Sequence, residues 1–296
     1  MKSIGVVGMG IMGGAMARHL AAAGHEVVGF DPSAEAAQRL SASGGTPLAS
    51  IGEVAARARV IVTSLPSVAA FETAMAAMAE TLREGHVVIE TSTMPIDVKQ
   101  RGHDTLAAGG AVLLDCPVSG TGAQAAVKDL VVFGSGDEGA FEAIKPVLQG
   151  FSRRQVYLGR FGNGSTMKFI ANHLVNIHNV AAAEAFALAG SAGLDLQSVY
   201  DTLQDSAGSS RMFQVRGPLM VAGQYDEPTA RIEMYMKDLD VITSFAAGLR
   251  CPTPLFTAAT QLYYTALNRG QGALDTASVC TVLEEMAGIK RSTPST

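Results

Sequence analysis

Six short apolar runs punctuate the first half of the chain: Ile4-Gly5-Val6-Val7, Glu26–Phe30, Val60–Leu65, His86–Glu90, Ala111–Leu114 and Leu130–Gly134. Their apolar residues are consecutive rather than alternating. That is the pattern of strands covered on both faces, as in a parallel sheet between two layers of helices. Between them, segments such as 12–23, 34–42 and 70–83 carry apolar residues at helical spacing. Strand–helix repetition of this kind predicts a doubly wound, mostly parallel α/β sheet of the Rossmann type. A last short strand at Gln155–Leu158 is expected to close the domain.

The pattern changes after Gly164. Residues 165–192 contain no proline and one interior glycine, Gly190, and read as a single long, mostly apolar helix. Helical spacing returns in 195–205, 211–222, 231–248, 253–268 and 275–286. These segments are separated by Gly193, Gly208, Gly223-Gln224, Pro252 with Pro254, and Gly270-Gln271-Gly272. No strand pattern follows residue 160. The expected organisation is a Rossmann domain over 1–162 and an all-α domain over 163–296 that begins with a long interdomain helix. The polar tail Lys290–Thr296 is expected to fray.

The first strand runs into Gly8-Met9-Gly10-Ile11-Met12-Gly13, a GxGxxG sequence that opens a helical segment. Alone the pattern is weak, but between a strand and a helix it is the dinucleotide-binding turn. Gly8 permits the tight turn, Gly10 lets the backbone approach a pyrophosphate, and Gly13 lets helix and strand pack closely. The helix start then offers free N–H groups and positive dipole to the phosphates. Asp31 ends the second strand, where a carboxylate accepts hydrogen bonds from ribose hydroxyls and repels a 2′-phosphate. It is followed by Pro32 with no arginine beside it, so NAD is expected in preference to NADP. Leu65-Pro66 and Thr91-Ser92-Thr93 follow the third and fourth strands, at the sheet edge where ligands bind. Leu65, Pro66 and Thr93 are candidate cofactor contacts, and by position each is equally an ordinary loop or cap residue.

Composition narrows the classes. The 296 residues suffice for two domains, and with 48% hydrophobic and 17% charged residues a large core can form. A net charge of -5 argues against nucleic acid or an acidic membrane as partner, since both require a basic face. Cys116, Cys251 and Cys280 form neither a disulfide framework nor a zinc pattern. No apolar run reaches the ~18 residues of a membrane span, and no signal-peptide pattern opens the chain. A reduced, cytoplasmic protein is expected. The six histidines show no metal spacing, and His173 and His178 are expected to pack rather than bind.

Four motifs taken together resemble the β-hydroxyacid dehydrogenase family, which includes 3-hydroxyisobutyrate dehydrogenase and tartronate semialdehyde reductase. They are the glycine loop, Asp115-Cys116-Pro117-Val118-Ser119-Gly120, Gly162-Asn163-Gly164-Ser165-Thr166-Met167-Lys168 followed by Asn172, and Lys237-Asp238-Leu239. The resemblance covers nearly the whole chain. It implies hydride transfer between a small hydroxy acid and NAD, with Lys168 as general acid and base and Asn172 beside it. It implies substrate binding by Ser119, Gly120 and Thr121, cofactor contact by Lys237, and a homodimer or homotetramer. Helical spacing agrees, because residues 168 and 172 share one helix face, and the first turns of that helix can face the interdomain crevice. A lysine there can take the hydroxyl proton as the carbon gives up hydride, and burial beside positive charge would lower its pKa. Cys116 reads as a small apolar filler rather than a nucleophile.

Two positions depart from the family pattern. Thr121 stands where a second glycine is usual, adding a methyl and a hydroxyl to the expected pocket wall, and Lys128 stands where a glycine is usual. Arg211 occupies a place that is commonly aromatic, and its planar guanidinium could bind a second anionic group of the substrate. Imine reduction is a competing function, since imine reductases resemble this family, but they usually lack the lysine that Lys168 supplies. A non-catalytic NAD-binding regulator would need neither Lys168 nor Ser119.

Overall fold

The computed structural model describes residues 3–291, so most of the tail predicted to fray lies outside the described residues. The chain divides into two compact units, Met1–Lys168 and Phe169–Thr296.

The first unit contains a six-stranded parallel sheet with β1 (Ser3–Val7), β2 (Val27–Phe30), β3 (Thr46–Pro47), β4 (Ala58–Thr63), β5 (Val87–Glu90) and β6 (Val112–Asp115), in the order β3-β2-β1-β4-β5-β6. Its crossovers carry α1 (Ile11–Ala22), α2 (Ala34–Ala42), α3 (Ile51–Arg57), α4 (Val68–Ala79) and α5 (Ile96–Ala107). The strand order reverses beside β1, which pairs with β2 on one side and β4 on the other. Such a switch point is where this architecture opens a crevice at the carboxyl ends of its strands. Both faces of the sheet are buried, as the unbroken apolar runs require. Ile4, Val6, Val62, Ile89 and Leu114 pack with Met16, Leu20, Phe141 and Leu148 on one side. Val7, Val28, Ile61, Val88 and Leu113 pack with Phe71, Met75 and Leu106 on the other.

The doubly wound sheet is therefore as predicted, with one redistribution. The runs at 130–134 and 155–158 do not extend it but form a smaller sheet with a two-residue strand. The elements here are β7 (Val118–Ser119), α6 (Gly122–Ala126), β8 (Val131–Gly134), α7 (Glu138–Phe151) and β9 (Arg154–Tyr157), with β7 antiparallel and β9 parallel to β8. An antiparallel bridge, Asp115 to Ser135, joins the two sheets. From β6 the chain runs on through Cys116-Pro117 in one antiparallel register against β8, with Asp115 opposite Ser135 and Val118 opposite Val132, so β8 meets the end of β6 rather than its length. The two-residue strands β3 and β7 are too short to give a sequence pattern.

The long helix is α8 (Asn163–Ser191), which runs from the end of the first unit into the second. The second unit continues with α9 (Leu196–Leu203), α10 (Arg211–Ala222), α11 (Ile232–Gly248), α12 (Pro254–Asn268) and α13 (Val279–Met286). Its core holds Phe186, Phe213, Met220, Leu239, Ile242, Phe256 and Tyr263. The segment read as one helix over 275–286 is a short 3-10 turn, Thr276–Ser278, followed by α13. Asp275 explains the break. Its carboxylate caps Ala277 N–H and takes a buried ion pair from Arg216 at 2.5 Å, which ties it to α10.

Candidate functional site

The turn between β1 and α1 has the geometry that its three glycines predict. Gly8 has φ +83°, and a Cβ there would fall 2.2 Å from the Ser64 carbonyl oxygen. A Cβ on Gly13 would fall 1.9 Å from the Gly8 carbonyl oxygen, so α1 could not seat against the turn. Gly10 differs, since a Cβ on it would meet no atom within 4 Å. It is also the N-cap of α1 and supplies no side-chain cap, so the first-turn N–H groups have no partner from its side chain. An open cradle at an uncapped helix start fits a pyrophosphate. Ile11, at the first helical position, leaves 77% of its surface exposed, Met9 is buried and Met12 is half-buried.

Asp31 stands beside this turn. One carboxylate oxygen accepts Met9 N–H at 2.6 Å and the other accepts Ser33 N–H at 2.8 Å. A carboxylate has about four acceptor positions, so each oxygen keeps one for a hydroxyl. The sequence places no arginine next to Asp31, but the fold brings one to the turn. Arg39, in the second turn of α2, reaches the Met9 carbonyl at 3.4 Å and pairs with Glu35 at 2.6 Å. A cavity of about 730 Å³ opens from Met9, Gly10 and Ile11 between α1 and α2, with Arg18 and Arg39 on its wall.

At the next strand ends, Leu65 is half-buried, Pro66 exposed and Thr93 half-buried. Ser92 binds these loops together by accepting Leu65 N–H at 2.8 Å, and Thr91 Oγ1 donates to the Thr63 carbonyl. Ser119 ends β7 and is half-buried; Gly120 follows with φ +141°, a conformation that favours glycine. The hydroxyl of Thr121 is engaged in a capping box, accepting Gln124 N–H while the Gln124 side chain accepts Thr121 N–H. It therefore starts α6, a role its sequence position did not suggest. The other end of α6 is held by α1, where Arg18 donates to the Ala126 carbonyl and the His19 ring bonds the Ala125 carbonyl, both at 2.9 Å. Lys128, in the place of a usual glycine, keeps the left-handed backbone with φ +64°.

Lys168 lies on α8 with 9% of its surface exposed, and Asn172 follows one turn later with 7%. The Asn172 side-chain amide donates to Asp238 Oδ2 at 2.9 Å, and the backbone carbonyl of Asn172 accepts the Tyr235 hydroxyl at 3.3 Å. Burial pushes the Tyr235 phenol up, so it remains a donor at neutral pH. Lys237 Nζ is 3.9 Å from Asp238 Oδ1, so one carboxylate joins two predicted residues, Asn172 and Lys237. The sequence had placed Asp238 in the Lys237-Asp238-Leu239 motif without assigning it a role of its own. Arg211 is exposed at the first position of α10, whose cap is Ser210. His173 stacks on Phe256 at 5.0 Å, and burial lowers its pKa. Cys116 is fully buried and its thiol is pushed up by burial and by Asp115, which leaves no nucleophilic thiolate there. Among the described residues no group of His, Cys, Asp or Glu could hold a metal ion, and no helix is long and apolar enough to cross a membrane.

Comparison with known proteins agrees with this geometry. Residues 3–159 match the NAD binding domain of 6-phosphogluconate dehydrogenase, and residues 162–283 match the NAD-binding domain of NADP-dependent 3-hydroxyisobutyrate dehydrogenase. The chain is 33% identical over 285 residues to the L-threonate dehydrogenase of Cupriavidus necator, covering 95% of this chain and 96% of that one. The chain belongs to the β-hydroxyacid dehydrogenase family. Solved members superpose closely. A 3-hydroxyisobutyrate dehydrogenase from Salmonella typhimurium gives a TM-score of 0.86 at 33% identity over 95% of this chain and 100% of that one. The Mycobacterium tuberculosis 3-hydroxyisobutyrate dehydrogenase, solved with L-serine, gives 0.87 at 28% over 96% and 99%. As a member of this family the protein is an NAD-dependent oxidoreductase acting on a small molecule, and the glycine turn with Asp31 is where its residues fit NAD.

Proposed function

We propose that the protein oxidises a small β-hydroxy acid, with Lys168 as the general acid and base. Bound NAD supplies the hydride acceptor. The observation that carries the reading is the pair on α8: a buried lysine one turn before a buried asparagine whose amide is committed to Asp238. Lys168 takes the proton from the substrate hydroxyl in oxidation and returns it in reduction. Asn172, its side-chain amide oriented by Asp238, holds the substrate in the pose where that transfer is short. Ser119 and the backbone at Gly120 bind the substrate carboxylate through neutral donors, which keeps a full positive charge away from the hydride path.

The cofactor preference follows from Asp31. Its free acceptor positions suit ribose hydroxyls, and its charge disfavours a 2′-phosphate. Glu35 offsets the charge of Arg39, so that arginine does not reverse the preference. The relatives suggest an acid with extra hydroxyl groups, in the class of L-threonate, beside 3-hydroxyisobutyrate.

The test is NADH formation at 340 nm against a panel of hydroxy acids that includes both, with Lys168→Ala in parallel. The variant is expected to lose ~10²–10⁴-fold in kcat, the usual contribution of a positioned acid or base, with NADH affinity unchanged. Near-normal turnover would remove Lys168 from the mechanism.

A further inference from the structure

The carboxyl ends of three adjacent strands carry polar residues in register. Thr63 on β4 lies opposite Glu90 on β5, and Glu90 opposite Asp115 on β6. All three are completely buried, and so is Lys99, which α5 brings against them. Its ammonium lies 2.8 Å from Asp115 Oδ1 and 3.9 Å from Glu90 Oε1. Thr63 donates to the Glu90 carboxylate, whose other oxygen accepts Ser92 N–H. Buried charges are costly unless each is paired and hydrogen-bonded, and a core of this fold could be completed with apolar residues. The question is what the charges hold in place.

Asp115 supplies the answer. Its Oδ1 accepts Lys99 Nζ and the Ser165 hydroxyl, at 2.8 and 2.7 Å. Its Oδ2 accepts Ser165 N–H at 2.7 Å and the Ser135 hydroxyl at 3.2 Å. All four acceptor positions are used, and two of the donors belong to one residue in the first turn of α8. Ser135 also accepts Gly164 N–H at 2.9 Å. The first N–H groups of α8 thus end on the strand ends, with a carboxylate at the positive end of the helix dipole. Close seating is built in, since a Cβ on Gly164 would fall 2.3 Å from the Phe133 carbonyl oxygen and 2.6 Å from that of Asp115. Lys168 is three residues beyond Ser165, so it stands one turn above this anchor on the same side of α8.

We propose that Asp115 is a positioning residue for Lys168: its carboxylate, held by Lys99, locks the first turn of α8 to the ends of β6 and β8 and so fixes where the Lys168 amine stands. The proposal rests on the reading of Lys168 as the general base. The titratable and charged groups around the anchor are Glu90 from β5, Lys99 from α5, Cys116 after β6 and Lys168 on α8 itself. The Cys116 thiol is neutral, pushed up by burial and by the Asp115 charge. The charges within this cluster are therefore those of Asp115, Glu90 and Lys99.

The experiment measures kcat, KM for NAD and the pH dependence of kcat/KM in the oxidative direction for Ser165→Ala, Asp115→Asn, Lys99→Met and Lys168→Ala. Ser165→Ala removes one donor and no charge. Its kcat is expected to fall roughly three- to tenfold, below the range for a full charge-assisted bond because Ser165 N–H remains. KM for NAD and the acidic limb of the profile should stay in place. Asp115→Asn is expected to lose tenfold or more in kcat and to move the acidic limb to lower pH, because a negative charge that favours protonated Lys168 is gone. Lys99→Met should move the limb the other way, each shift being on the order of half a pH unit. Loss of folding alone cannot produce shifts of opposite sign. Shifts in the same direction, or a limb that stays still in both charge variants, would show Asp115 to be scaffolding and overturn the proposal. If neither charge variant folds, Ser165→Ala decides alone, and an unchanged kcat overturns it. Failure of the underlying reading looks different: Lys168→Ala would keep both its turnover and its acidic limb.

Discussion

The open space beside Gly10 allows a sharp test of the cofactor site. Gly10→Ala adds one methyl where no protein atom lies within 4 Å, at a backbone φ of -63° that alanine accepts. Stability should therefore change little: alanine is a poorer N-cap than glycine, which costs about 0.5–1 kcal/mol. That corresponds to a few degrees in Tm at most. The same methyl occupies the cradle in which the pyrophosphate must approach backbone N–H groups. Displacing it sacrifices one charge-assisted hydrogen bond or more, each about 1.5–3 kcal/mol, or roughly 10- to 150-fold in Kd for NADH. Gly13→Ala is the contrasting change. Its Cβ would stand 1.9 Å from the Gly8 carbonyl oxygen, so the turn or α1 must move and the fold itself is weakened. NADH titration followed by the cofactor's own fluorescence suits this chain, which has no tryptophan to interfere. Thermal melting of the apo protein supplies the second axis. Wild-type NADH affinity in a folded Gly10→Ala protein would refute the placement of the pyrophosphate. An unchanged Tm for Gly13→Ala would refute the close packing of α1 on the turn.

Asp31→Ser should narrow the preference for NAD over NADP by weakening NAD and relieving repulsion of the 2′-phosphate; a wild-type enzyme that uses NADPH better than NADH contradicts the role given to Asp31. The same substitution removes the acceptor of Met9 N–H, so KM for NAD should rise as well. Lys128→Gly should stabilise the protein by about 1 kcal/mol, the left-handed strain of a residue with φ +64° less the extra unfolded-state entropy of glycine, as measured by urea denaturation. No gain would mean that neighbouring contacts already relieve that strain. Arg211→Met tests whether the exposed guanidinium at the start of α10 selects substrate. A loss of roughly 10- to 150-fold in kcat/KM confined to hydroxy acids with a second anionic group is expected, and equal effects on monocarboxylic acids would dismiss the idea.

Much of the molecule follows from short-range patterns. Consecutive Val and Ile runs specify strands buried on both faces, and the glycine spacing at Gly8, Gly10 and Gly13 specifies a turn with few steric alternatives, because backbone crowding is local. Lys168 and Asn172 share a face of α8 through helix periodicity alone. The sequence could not reveal partners separated by a long stretch of chain. Asp238 meets Asn172 across 66 residues, and Lys99 meets Asp115 from a different element. Lys99 reads as an ordinary helical lysine until the fold removes all of its solvent. Arg39 joins the cofactor turn only because α2 folds back over Met9, and Thr121 proves to be a helix cap because Gln124 completes the box. These roles depend on which chain segments become neighbours, and burial then converts an ordinary charge or hydroxyl into a group that must find a partner. Local sequence sets the elements and the reactive residues they carry, while the tertiary structure decides which side chains hold those residues in place.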